Sequence, residues 1–331
     1  MRYTPSEKME IIRLVEHSDI PVKQTLAGLG VARSSFYRWY NCYVEHGYDG
    51  LKSSERTPSR FWNKIPDSER KWIRDISLSS SHVDKTPREL SAYITDKKGY
   101  FISESSVYRI LKDYDLILSP RYTVIKASDH YKNPTRRINE MWQTDFTYFK
   151  ILGWGWYFLS TVLDDYSRYI LSWKLYSTMA AEDVQDTLDM AIEYTGVDHI
   201  NVKHKPRLLS DNGPCYLSSQ LAEYLKDKQM KHTRGRPYHP QTQGKIERYH
   251  RTLKNKIKLH NYWSVEALER EIALFIQYYN NERVHESLNN VTPSDMYYGK
   301  QEKILSLRDK IKHKTLKARK RFNLSQKSCI A

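Results

Sequence analysis

The sequence predicts two small all-α helix-turn-helix units followed by an α/β core built on a mixed sheet. Three observations predict this. Apolar residues recur at helical spacing through residues 1–118, punctuated by Gly and Pro. From about residue 140 the pattern changes to aromatic- and Thr-rich runs, then to alternating helices and strands. Lys and Arg number 54 against 39 Asp and Glu, a net charge of +15, which favours a polyanionic partner such as double-stranded DNA.

The bulk numbers set limits. A chain of 331 residues has room for two or three domains. With 39 % hydrophobic residues it fills a packed core, which excludes bulk disorder. Cys42, Cys215 and Cys329 are far apart and form no CxxC pair, so neither a zinc finger nor a disulfide framework is expected. The charged N-terminus has no signal-peptide core, and no run approaches the roughly 18 apolar residues of a membrane span. The expected location is cytoplasmic, with no membrane partner.

Residues 1–50 read as a first DNA-binding unit. SEKMEIIRLVEH has Met9, Ile12 and Val15 on one helical face, PVKQTLAGL opens with Pro21, and VARSSFYRWYNCYVEH follows the turn at Gly28 and Gly30. This is helix, helix, Gly turn, helix. Arg33, Ser34, Ser35, Tyr37 and Arg38 on the third helix suit phosphate and base-edge contacts. A linker is expected over 51–66, where Pro58 and Pro66 lie. A second helical unit, 67–118, contains DSERKWIRDISLSS, TPRELSAYITDKKG with Thr86 as cap, and SESSVYRILKDYDL with Ser103 as cap. It reads either as a second DNA reader through Ser105, Ser106, Tyr108 and Arg109, or as packing alone. A second linker is expected over 119–139.

In the core, 140–300, MWQTDFTYF, WYFLSTVLDD and YILSWKLY predict an antiparallel meander. A helix over 180–195, a short strand ending at Asp211, the helix SSQLAEYLKDKQ and the strand MKHTR follow. GRPYHPQTQG is a loop, and the helices KIERYHRTLKNKIKLH and 264–281 close the domain. This order is that of an RNase H-like core. The tail, 301–331, holds ten Lys and Arg against two acids and is expected to track DNA or stay solvated.

Phosphodiester chemistry with two hard cations needs converging carboxylates. Asp145 lies in the first strand, Asp211 ends the fourth, and Glu247 follows after thirty-five intervening residues. The spacing alone is weak; the setting is informative. Glu247 sits at the edge of a stripe formed by Ile246, Leu253 and Ile257, with His250, Arg251 and Lys254 close by on the helix. A charged surface face is the alternative for that helix. Asp164 and Asp165 are rival acids, read mainly as turn residues. His239, Gln241 and Gln243 either contact DNA or order their loop.

The segments WQTDFTYF, STVLDDYSRYILSW, LLSDNGPCY, RPYHPQTQGKIERYHRTLK and YYNNERVHESLNNVTPSDMYYG resemble those of bacterial insertion-sequence transposases, relatives of retroviral integrases. The resemblance covers residues 135–300. It implies an integrase-type catalytic core in which Asp145, Asp211 and Glu247 ligate two Mg²⁺ ions, with Mn²⁺ as a substitute, and Lys254 contacts DNA near the scissile end. It also implies binding of terminal inverted repeats, 3′-end cleavage, strand transfer, and a homo-oligomer holding two DNA ends in the nucleoid. The His/Cys zinc module of retroviral integrases is absent from the N-terminus, where the helix-turn-helix units stand instead. A DNA-binding repressor with an inactive core and a plain RNase H-like nuclease are the rival readings.

Overall fold

The computed structural model describes residues 3–18, 20–52, 62–117, 135–151, 153–198, 205–235, 244–257, 262 and 264–328. His239, Gln241, Gln243, Cys329 and most of both expected linkers lie outside them. The chain forms two compact units, Met1–Ile125 with Leu307–Ala331, and Lys126–Ser306.

In the first unit, α1 (Pro5–Glu16), α2 (Val22–Gly28) and α3 (Arg33–His46) surround Ile11, Ile12, Leu26 and Phe36, and a 3-10 turn, Gly47–Leu51, adds Leu51. Thr4 and Glu7 close a capping box on α1, satisfying amide groups that the helix leaves open. α4 (Asp67–Leu78), α5 (Pro87–Lys98) and α6 (Glu104–Asp113) pack around Ile73, Leu90, Ile94, Ile102, Val107 and Ile110. Thr86 and Ser103 cap α5 and α6, as their sequence positions predict.

The basic C-terminal segment, expected to track DNA or stay solvated, is docked along one face. It is a 28-residue helix, Gln301–Ser328, and from Leu307 onward it belongs to the first unit. Arg308, Thr315, Arg319 and Asn323 recur at helical spacing on one face. Arg308 donates from Nε and Nη2 to Asp96 at 2.7 and 2.6 Å. The Phe101 amide donates to Thr315 Oγ1 at 3.0 Å, and Arg319 Nη2 donates to the Phe101 carbonyl at 2.6 Å. Asn323 reaches the carbonyls of Trp62 and Lys64. Two of the tail's arginines therefore serve its docking, while Lys310, Lys314, Lys317 and Arg321 stay exposed.

In the second unit a five-stranded sheet runs in the order β3-β2-β1-β4-β5. β1 (Met141–Ile151), β2 (Gly155–Asp164) and β3 (Ile170–Tyr176) form the antiparallel meander, while β4 (Arg207–Ser210) runs parallel to β1 and β5 (His232–Arg234) parallel to β4. α7 (Ala181–Thr195), α8 (Pro214–Leu217) and α9 (Ser219–Asp227) belong to one face, where Trp142, Val162, Leu188, Leu208 and Leu221 form the core. α10 (Gly244–Ile257) and α11 (Val265–Asn281) cover the other over Phe149, Leu159, Leu163, Leu253, Ile272 and Phe275. A short α12 (Pro293–Tyr297) follows. A mixed sheet with helices on both faces is the architecture the element order predicts.

Candidate active site

Parallel pairing brings the first two acids near each other. Met141, Trp142 and Gln143 of β1 pair with Arg207, Leu208 and Leu209 of β4. Asp211 follows directly on the end of β4, two residues past Leu209, and Asp145 lies two residues past Gln143, close enough for its charge to act on Asp211. Side chains alternate along β1, so Trp142 enters the α7 side while Gln143 and Asp145 face α10.

The segment after β4 shapes Asp211. The Gly213 amide donates to Asp211 Oδ1 at 2.8 Å, and a Cβ at Gly213 would stand 3.1 Å from that oxygen. Asn212 Nδ2 donates to the Gly235 carbonyl at 2.8 Å, tying this turn to the end of β5.

Glu247 lies in the first turn of α10, and a buried clasp fixes that turn. The Ile246 amide donates to Gln143 Oε1 at 3.1 Å, while Gln143 Nε2 donates to Asp165 Oδ1 at 2.7 Å. Lys245 Nζ donates to Asp165 Oδ2 at 2.7 Å and to the Asp165 carbonyl at 2.8 Å. Gln143 is fully buried and Asp165 nearly so. The helix start is therefore bound to a residue two positions from Asp145, which carries Glu247 to the same place. One turn on, buried His250 has its Nδ1 3.4 Å from Asp145 Oδ2. The Phe146 amide donates to Asp145 Oδ1 at 2.9 Å.

Asp145, Thr147, Glu247, His250, Arg251, Lys254 and Asn255 line an open cleft of about 420 Å³. The surrounding protein removes water from Asp211 and Glu247 and raises both carboxyls above their ordinary values, and the charge of Asp145 pushes each up further. Arg251 and His250 pull Glu247 back only in part. Neither Asp211 nor Glu247 forms an ion pair among the described residues. Among the described residues no three His, Cys, Asp or Glu side chains form a metal-sized group.

Of the residues singled out in the sequence, Arg251 and Lys254 share this cleft with Asp145 and Glu247. Lys254 Nζ lies 4.2 Å from the centroid of the Tyr148 ring. Arg33, Ser34, Tyr37 and Arg38 are exposed on α3, with Ser35 half-buried. On α6, Arg109 folds back on the Ser105 carbonyl and Ser106 Oγ.

Asp164 and Asp165 are more than turn residues. Asp164 is fully buried and accepts from the Ser167 amide and hydroxyl and from the Asn139 amide, at 2.8, 2.6 and 2.8 Å. Sequence patterning missed Gln143 and Lys245. The one available signal was a polar Gln flanked by Trp142 and two residues before Asp145 inside an aromatic strand.

Residues 135–240 and 228–293 each match an Integrase core domain family. The chain carries an integrase core domain. Before this core, residues 2–52 and 35–111 match Homeodomain-like domains. The chain is 28 % identical over 158 residues to the "Putative transposase InsK for insertion sequence element IS150" of Escherichia coli (strain K12), a match covering 47 % of this chain and 54 % of that one. It is 32 % identical over 119 residues to the Gag-Pro-Pol polyprotein of squirrel monkey retrovirus, covering 36 % of this chain and 6 % of the polyprotein. The chain thus spans about half the length of the bacterial relative and a small part of the viral one. Among solved structures, the HTLV-2 integrase catalytic core domain in complex with magnesium (dimeric form) matches with 21 % identity and a TM-score of 0.38, over 49 % of this chain and 97 % of that one. No helix among the described residues is long and apolar enough to cross a membrane.

Proposed function

We propose that this chain is an insertion-sequence transposase that binds the terminal inverted repeats of its element, cuts next to the 3′ end, and joins that end to target DNA. What supports the reading is that Asp145 and Glu247 line one cleft with Arg251 and Lys254, and that the charge of Asp145 bears on both Asp211 and Glu247. Acids and cations side by side suit a phosphodiester held against its charge.

The donor set fits hard divalent cations. It offers carboxylate oxygens only, and two of the three acids have raised proton affinity and no ion pair. Asp145, Asp211 and Glu247 would hold two Mg²⁺ ions, and Mn²⁺ in their place. When bound, the ions supply activation of the attacking oxygen and charge neutralisation at the leaving oxygen. The chain's own residues do the rest. His250 steadies Asp145, and the Gln143–Asp165–Lys245 clasp holds the first turn of α10 so that Glu247 is presented to the cleft. Arg251 and Lys254 receive phosphate oxygens. The freed 3′-OH then attacks a target phosphodiester in line: one P–O bond forms as another breaks, and the phosphodiester count is unchanged. Arg33, Ser34, Ser35, Tyr37 and Arg38 contact the repeats, with His239, outside the described residues, a further contact. Two ends must be held at once, so the active form is a homo-oligomer on DNA in the bacterial nucleoid.

The test is a donor plasmid carrying the coding segment with its native flanks, scored in cells for excised or joined products. Products from the unaltered chain that vanish with Glu247→Gln establish strand transfer centred on Glu247. No products from either, despite binding to the flanks, sink the transposase reading in favour of a repressor. Nicks without joined ends favour a nuclease.

A further inference from the structure

The tip of the β1–β2 hairpin carries an aromatic and cationic cluster with no part in the acid site. Tyr148, Trp154 and Trp156 are 55 %, 54 % and 50 % exposed. Gly153 and Gly155, at φ +82° and +98°, make the turn that sets Trp154 at the tip, a conformation L side chains rarely adopt. Lys150 stands opposite Trp156 in the strand register, and its Nζ lies 5.5 Å from the Trp156 ring. Tyr148 meets Trp156 edge to face at 5.4 Å. Tyr148 and Lys150 are two apart on β1, so they share one face of the hairpin with Trp156.

The cluster is continuous with the cleft. Lys254, whose ammonium lies over the Tyr148 ring, also lines the cleft. Asp145 and Tyr148 are three residues apart on one strand, about 10 Å.

Large exposed aromatics in one place mark a binding surface. The interleaved lysines select its chemistry. An apolar protein partner would bury these ammonium groups at a cost, whereas a nucleotide satisfies both features, its base stacking on a ring and its phosphate meeting a cation. Paired bases inside a duplex have no free face to offer, whereas an unpaired nucleotide does.

We propose that the hairpin tip is a stacking platform for one or two unpaired nucleotides of the DNA end whose phosphodiester occupies the Asp145–Glu247 cleft. The proposal rests on the transposase reading for the identity of that DNA. The hairpin holds the end of the duplex open next to the acids, and Tyr148 and Trp156 make the contact with the bases.

The experiment uses the full chain without divalent cations, so that binding is read apart from chemistry. The probes are a blunt 30-base-pair duplex of the element's flank and the same duplex with a three-nucleotide single-stranded extension containing 2-aminopurine. The expected result is quenching of the extension's fluorescence and about tenfold tighter binding per stacked base. Tyr148→Ala with Trp156→Ala should abolish the quenching and the preference, with a smaller loss of blunt-duplex affinity because Lys254 rests on the Tyr148 ring, and leave the thermal midpoint unchanged. Tyr148→Phe with Trp156→Phe should retain both. Equal affinity for the two probes, or quenching that survives the alanine pair, overturns the proposal. So does an alanine pair that lowers the oligomeric state in light scattering and leaves both affinities unchanged, since the patch is then a protein interface. Failure of the transposase reading is separate: it is the absence of joined products from the unaltered chain, whatever the extension does.

Discussion

Asp164 and Asp165 lie deeper in the protein than Asp145, Asp211 or Glu247, yet they are the better satisfied group. Asp164 accepts three hydrogen bonds from Ser167 and Asn139. The carboxylate of Asp165 takes donors from Thr135, Gln143 and Lys245. Glu247 accepts no hydrogen bond among the described residues, and Asp211 has one amide donor at a single oxygen. Burial alone would have selected Asp164 and Asp165. Buried charge is tolerated where donors saturate it, so a saturated carboxylate is a structural part, and acids left short of donors beside an open cleft are the ones with capacity for a ligand. The two groups are also linked, because Asp165 and Gln143 hold the helix turn that carries Glu247.

The largest effect should separate the groups by activity. Glu247→Gln is expected to lower strand transfer at least about 10³-fold, the equivalent of several kcal/mol of lost charge stabilisation, with the fold intact by circular dichroism. A variant that still joins ends would break the contrast. Asp165→Asn should do the reverse first and lose stability, by about 3 kcal/mol in denaturant unfolding. That is the lower end for a broken buried pair, because Lys245 keeps some contact with water. Its activity should fall as well, since the Glu247 turn loosens, and faster hydrogen exchange at the Ile246 amide would sharpen that link. Ser167→Ala removes one hydroxyl donor from Asp164 and should cost about 1–3 kcal/mol, with strand transfer per folded molecule unchanged.

The smallest effect concerns pH. Asp211 and Glu247 hold protons more tightly folded than unfolded, where they titrate near 3.8 and 4.5. Their contribution is fully present below those values and is lost as pH rises through the raised folded values. Burial raises Asp164 in the same direction. Added Mg²⁺ or Mn²⁺ should recover the part owed to Asp211 and Glu247, seen as a higher thermal midpoint at neutral pH, and leave the Asp164 part untouched. Glu247→Gln should raise the cation-free midpoint slightly and blunt the response to cation. A full response in that variant would place the cation elsewhere.

Much of this was legible from the chain. Helical periodicity placed α1, Thr86 and Ser103 marked the starts of α5 and α6, and the aromatic- and Thr-rich MWQTDFTYF and apolar WYFLSTVLDD marked the first two strands, because these signals are local. The motifs around Asp145, Asp211 and Glu247 and the basic excess pointed to phosphodiester chemistry on DNA. What the sequence could not decide depended on neighbours distant in the chain. The β1–β4 register pairs Gln143 with Leu209 across 66 positions, and Gln143 meets Ile246 across 103. The same holds for the C-terminal segment, whose charge reads as a solvated tail until Arg308 and Arg319 find Asp96 and Phe101. Local propensity sets which residues form an element. Which polar groups remain unsatisfied, and so available to a ligand, is fixed only when the elements pack and their donors are consumed.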